Sequence, residues 1–294
     1  MRRGPSWGKK DKHCDPVDPG DATQGSYWDH VIIDPETKLI ISLVVGRRQA
    51  DTVVQVFTDF YGRTDGALPE LITTDGYAVY EAVVLGTYGV WREELGLTPK
   101  EEAGFERTGM PAFYFPVEIT YATVHKERKG GRVVAVTSRV VLGSEGQAEE
   151  TLAGSERSQT INTSFVERWF GTQRQFSGRK KRRAYTFSKE LSFHEACTWL
   201  VVVWYNFGWR VRALRQKVQE YPPRYHYRTP AMVAGLTDHV WTMHELLSYP
   251  LYPPTVAPLK CKIRTYKDVL ERLTRLRLRP TRHVMMEEHS GSLA

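Results

Sequence analysis

With 294 residues, 41% of them hydrophobic and 12% aromatic, the chain can bury the core of one large domain with extensions, or of two small domains. A formal charge of +7 and a pI near 9.2 point to an anionic partner. The three cysteines, Cys14, Cys197 and Cys261, fit no disulfide or metal spacing, which excludes a disulfide scaffold and a cysteine-held metal. The N-terminus is polar and charged with no secretory pattern, and the most apolar segment, residues 196–207, is too short to span a bilayer. The expectation is a cytoplasmic protein without a membrane partner.

Residues 1–26 mix glycine, proline and charge without periodicity and read as flexible. Tyr27–Ile33 and Lys38–Val45 are apolar runs separated by Asp34-Pro35-Glu36-Thr37, which predicts an antiparallel hairpin. From Arg47 to Tyr61 a stripe of Ala50, Val53, Val54, Phe57 and Phe60 predicts a helix. Leu68–Thr74 reads as a short strand ending at Asp75, and Tyr77–Val84 as a short helix entered through Gly76. Residues 86–116 read as a surface excursion. Val117–Lys126 and Arg132–Leu142 flank Gly130-Gly131 and predict a second hairpin, followed by a polar loop over 143–160.

A helix should start near Ser164 and carry Glu167, with Arg174 and Lys181 at sevenfold spacing from it. A second helix, capped by Ser188, should run to about Asn206. Thr229 and Thr237 look like caps of two short helices, the latter reaching toward Leu247. Residues 259–279 form a basic amphipathic pattern. Hairpin, helix, strand and helix in this order predict an α/β fold with a mixed sheet covered by helices.

Between Arg168 and Lys189 lie eight basic residues (Arg168, Arg174, Arg179, Lys180, Lys181, Arg182, Arg183 and Lys189) and no acid. Such a run is costly to gather on one surface unless an anion neutralises it, so DNA phosphate contact competes with a solvated basic face. Asp75 at a strand end and Glu167 on a helix are the carboxylates best placed for metal-assisted phosphoryl transfer. Hard divalent cations prefer oxygen ligands, and two-metal sites hold their ions about 3.5–4 Å apart. Each acid also has an ordinary reading: Asp75-Gly76 is a common turn pair, and Glu167 could pair with Arg168 in solvent. His125, His194 and His226 match no ligand spacing and read as structural.

The segments QGSYWDHVIIDPETKLIISLVVGRRQADT (24–52), LITTDGYAVYEAV (71–83), NTSFVERWFGTQRQFSGRKKRRAYTFSKEL (162–191) and TPAMVAGLTDHVW (229–241) occur together in an order that resembles DDE-type transposases of the insertion-sequence-one-like group. The resemblance implies a ribonuclease-H-like core over 27–210 with an insertion near 86–116, a remnant of the core's start over 1–26, and a helical C-terminal extension over 211–294. It implies Mg²⁺ or Mn²⁺ in a two-metal site held by Asp75 and Glu167; Asp34, which ends an apolar strand but falls on a turn in the family's pattern, is the candidate for the third ligand. It further implies double-stranded DNA, both element ends and target, as partner, and a homo-oligomer that pairs the ends. Arg168, Arg174, Arg179, Lys180, Lys181, Arg182 and Arg183 would contact phosphate. Three departures stand out. Met1 and Arg2 occupy the places of the family's first Asp and Glu ahead of Gly8-Lys9-Lys10, so the first strand is expected to be missing or degraded. The family's N-terminal DNA-reading region is absent. Phe170 replaces an asparagine. The expected activity is therefore DNA transposition by metal-dependent strand cleavage and transfer, impaired by loss of the first acid. A catalytically inactive DNA-binding remnant and a ribonuclease-H-like nuclease are the alternatives.

Overall fold

The computed structural model describes residues 3–7, 13, 25–91, 98–100, 103–104, 113–181, 190–218 and 224–249. Met1, Arg2, Gly8-Lys9-Lys10, Arg182, Arg183, Ser188, the basic tail 259–279 and most of 92–112 lie outside the described residues.

The fold is α/β, with helices packed on two three-stranded sheets. The first sheet is β1 (Arg3–Trp7), β2 (Gly25–Ile33) and β3 (Ile40–Gly46), all antiparallel in the order β1-β2-β3. The expectation of a missing first strand is thus corrected: Arg3 pairs with Trp28 and Trp7 with Gly25, and backbone pairing along β2 supports a segment whose own composition gave no strand signal. The turn between β2 and β3 is built by Asp34. Its carboxylate accepts the Glu36 and Thr37 amides at 3.0 and 3.1 Å and the Thr37 hydroxyl. Lys38 closes the turn with φ of +63°, a left-handed conformation that a non-glycine residue holds only where its surroundings fix it. Its ammonium lies 3.5 Å from the centre of the Phe165 ring.

Alternation along β2 divides the core. Ile32 faces α1 (Ala50–Arg63), whose Val53, Val54, Phe57 and Phe60 are buried as the apolar stripe predicts, with Val56 buried beside them. Val31 and Ile33 face the other way, onto α4 (Ser164–Phe176) and α5 (Leu191–Val203), where Ile40, Leu43, Trp169, Phe170, Val202 and Tyr205 form a second cluster. α5 continues as a single π-helical turn over Trp204–Gly208. There the Asn206 amide brackets Ile40, donating to its carbonyl at 2.9 Å and accepting its amide at 3.0 Å. This buried side chain satisfies edge-backbone groups that would otherwise lose water without replacement.

The second sheet has the order β4-β7-β8. β4 (Leu71–Asp75) runs parallel to β7 (Thr120–Lys129), with Asp75 opposite Val124, and β7 is antiparallel to β8 (Arg132–Leu142). Gly130 and Gly131 join β7 to β8 at φ of +57° and +79°, the conformation a two-residue hairpin turn requires. α2 (Val79–Tyr88) packs on α1. β5 (Val90–Trp91) and β6 (Phe113–Tyr114) pair across the 86–116 stretch, and Trp91 is buried against Phe113. The ends of that stretch are therefore core, not the surface excursion expected.

Two further expectations are corrected. The loop over 143–160 contains α3 (Glu145–Gly154), started by a capping box in which Ser144 and Gln147 satisfy each other's backbone. Only Ala148 of this helix is buried, so no apolar stripe marks it. The described part of the C-terminal extension is not purely helical: β9 (Gln216–Val218) and β10 (Arg224–His226) pair there, ahead of α6 (Pro230–Val233) and α7 (Met243–Ser248). Thr229 caps α6 as expected. The cap of α7 is Thr242, through a capping box with Glu245, and Thr237 instead accepts from the Trp241 indole at 3.0 Å. Among the described residues no helix is long and apolar enough to cross a membrane.

Candidate functional site, a carboxylate-lined cleft

The two sheets and α4 meet around a cleft of about 970 Å³ whose lining includes Trp28, Asp34, Asp75, Gly76, Lys126 and Glu167. The three carboxylates singled out in the sequence thus reach one cavity. Asp75 stands at the C-terminal end of a parallel strand, where crevices of open α/β sheets form. Its Oδ1 accepts the Tyr77 amide at 3.3 Å, which ties the carboxylate to the turn into α2. The same turn is held from outside, since the Tyr77 hydroxyl donates to the Arg48 carbonyl at 3.1 Å and the Arg48 guanidinium lies 4.2 Å from the centre of the Tyr77 ring.

Gly76 follows with no room for a side chain: a Cβ there would lie 2.5 Å from Cε1 and Nδ1 of His125. His125 in turn is within 3.2 Å of Thr123 through Nε2. The close approach brings β7 against the Asp75 turn. His125 is exposed and its ring can swing aside, so Gly76→Ala should cost about 1 kcal/mol or less, and His125→Ala in the same chain should recover most of it. Urea-unfolding midpoints of the two single variants and the double variant measure this coupling. Additive losses would show that the two residues do not press on each other.

Glu167 comes from the first turn of α4. Its Oε1 accepts the Thr163 hydroxyl at 3.1 Å and is ion-paired with the Lys126 ammonium on β7. The helix face that carries Glu167 is set by Trp169, buried on the opposite side, and by Phe170, buried one turn along beside Glu167. Phe170 also lines the cleft, giving it an apolar floor where the resemblance implies a polar amide.

The third acid, Asp34, lines the cleft but is already committed. Its oxygens hold three donors of the β2–β3 turn, which explains its place in the sequence without a metal. Among the described residues no group of three or more His, Cys, Asp and Glu side chains is gathered as a metal centre would require. Asp75 and Glu167, which both line the cleft, are oxygen donors of the kind hard cations take, and Mg²⁺ is commonly held by one or two carboxylates with phosphate and water completing its shell.

Among its described residues the basic run does not form one surface. Arg168, Arg179 and Lys181 are exposed and Arg174 is half-buried, but α4 ends at Phe176, so Lys181 does not share its face. Arg179 lines a separate shallow groove of about 520 Å³ with Phe176 and Cys197. Lys180 is a correction: its side chain is only 5% exposed and donates to both oxygens of Asp29 at 2.8 Å and to His194 Nε2 at 2.7 Å. Those contacts use all three ammonium protons, leaving none for phosphate, and make His194 Nε2 an acceptor. Burial alone would raise the Asp29 carboxyl; the Lys180 ammonium outweighs it and holds it at about 2. Burial pulls Lys180 downward against the attraction of Asp29. Sequence reasoning missed this cluster because Asp29 lies inside a strand far from both partners along the chain. An acid at an inward position of an apolar strand was the one available signal. Nearby His30 is pushed by burial to about 4.

The fold and cleft define an α/β protein with a cleft that Asp34, Asp75 and Glu167 line together. Compared with protein-family models, curated proteins and solved structures, the chain has no match in any of the three.

Proposed function

We propose that the chain is a ribonuclease-H-like polynucleotidyl transferase domain of the transposase kind, which binds double-stranded DNA and acts on its backbone with Mg²⁺ or Mn²⁺. The observation that carries this reading is the arrival of Asp75, from a strand end, and Glu167, from a helix, in one cleft. A divalent cation there would supply Lewis-acid activation of a phosphodiester and offset its charge. Asp75 and Glu167 would hold it, the Tyr77 amide orients Asp75, and the Thr163 hydroxyl orients Glu167. Exposed Arg168, Arg179 and Lys181 would contact phosphate. A homo-oligomer that brings two DNA ends together belongs to the same proposal.

A second reading, DNA binding without catalysis, is favoured by the commitment of Asp34 to its turn and of Glu167 to Lys126. One experiment separates them. The 294-residue chain is incubated with supercoiled DNA and Mg²⁺ or Mn²⁺, alongside Asp75→Asn and Glu167→Gln. Nicking by the unsubstituted chain should drop by at least about 100-fold in each variant, the loss of roughly 2.7 kcal/mol of barrier lowering, with circular dichroism unchanged. Salt-sensitive DNA binding with no nicking in either metal would establish the second reading. Failure to bind DNA would overturn both.

A further inference from the structure

The Lys126–Glu167 pair joins two elements otherwise separate in the chain, and it does so inside the cleft. Lys126 sits on β7 two residues beyond Val124, the partner of Asp75 in the parallel ladder. An ammonium is thus held against one of the two carboxylates from the strand next to the other. Lys126 is 24% exposed and Glu167 48%, so the pair is open enough to exchange with solutes. Extended basic side chains at this end of β7 include Arg128, which also lines the cleft.

We infer that Lys126 is a built-in counter-ion that competes with a divalent cation for Glu167, so that metal loading requires displacement of its ammonium. The inference rests on the reading of Asp75 and Glu167 as a cation site. Its physical basis is that one carboxylate oxygen cannot keep an ammonium in contact and also give its lone pair to a metal at bonding distance. The resident charge lowers the negative potential of the empty cleft and spares the two carboxylates from repelling each other. Once displaced, Lys126 stays tethered beside the site, where a phosphate is the anion that can receive it. Loading of metal and engagement of DNA would then favour each other, because each takes one partner of the same ion pair.

The test is Mn²⁺ binding to the full chain without DNA, read by the free-Mn²⁺ electron-spin-resonance signal. An exposed pair contributes up to about 1 kcal/mol, so Lys126→Met should bind Mn²⁺ roughly fivefold more tightly. Lys126→Arg should keep the affinity of the unsubstituted chain, and Lys129→Met, at the last residue of β7 and not among the cleft-lining residues, should leave it unchanged. Glu167→Gln should weaken binding in both the unsubstituted and the Lys126→Met backgrounds. If Glu167→Gln weakens binding but Lys126→Met does not tighten it, or if Lys129→Met tightens it equally, the counter-ion role is overturned while the cation site stands. If Glu167→Gln leaves binding unchanged, the cation site itself is overturned, and the inference with it.

Discussion

Lys180→Met should destabilise the protein by about 3–5 kcal/mol, because it leaves the buried carboxylate of Asp29 without its cation. Asp29 is 8% exposed and faces the Lys180 ammonium through both oxygens at 2.8 Å, with His194 Nε2 at 3.8 Å from Oδ1. Removing one member of such a pair strands the other in a medium that solvates charge poorly. Removing both is less damaging, since the pair's attraction and its desolvation largely offset each other. Asp29→Asn combined with Lys180→Met should therefore recover part of the loss. Urea-unfolding free energies at neutral pH measure both, and a loss below about 1 kcal/mol for Lys180→Met would show that the ammonium does not compensate Asp29.

The same cluster has a pH signature. The Asp29 carboxyl lies at about 2 in the folded chain against an ordinary value of 3.8. A carboxyl depressed by folding contributes stability that is present above its unfolded value and lost as pH falls through the folded one. Stability should decline between about pH 4 and pH 2, and the Asp29→Asn, Lys180→Met chain should show a shallower decline over that window. DNA binding gives an independent check on the role of Lys180. Arg179→Ala and Lys181→Ala should reduce the salt dependence of binding, whereas Lys180 variants that remain folded should not.

Trp169→Ala should cost about 3–5 kcal/mol, the range for deleting a large buried aromatic. The indole is 1% exposed and its ring centre lies 4.7 Å from that of Tyr205, at the junction of α4, α5 and β3. Its neighbours come from three elements, so no single side chain can relax into the vacated space. The functional consequence follows from position, because Trp169 anchors the helical turn that presents Glu167. Mn²⁺ binding by the folded fraction should weaken along with stability. Trp169→Phe retains an aromatic ring against Tyr205 and should lose less of both. Thermal unfolding and metal titration of the two variants check the prediction, and full Mn²⁺ affinity in Trp169→Ala would separate the core from the site.

Much of the core was legible in the residues. The stripe on α1, the Asp34 turn and the Gly130-Gly131 hairpin each carry a local pattern strong enough to declare the element. α3 was not legible, since it is held by caps and by one buried alanine instead of by an apolar face. β1 was not legible because its pairing partner, β2, supplies the order that residues 3–7 lack on their own. The cap of α7 was misplaced by five residues because Thr237 and Thr242 are both plausible caps, and only Thr242 has Glu245 at the reciprocal position. In the site, sequence reasoning named Asp75 and Glu167 but not their partners. Tyr77, Thr163 and Lys126 reach them through the turn, the helix entry and the neighbouring strand.

The sequence by itself determined which segments are apolar, where the main turns fall, and which two carboxylates stand at a strand end and on a helix. These properties depend on near neighbours along the chain, where spacing alone sets the face a side chain occupies. Only the tertiary structure decided what each charge is for. Lys180 belongs to a basic run yet faces Asp29, Asp34 belongs to the cleft yet is consumed by its own turn, and Lys126 carries no motif yet holds Glu167. The interaction that settles the role of a charged side chain is with a partner brought near by folding, and no local pattern encodes that distance.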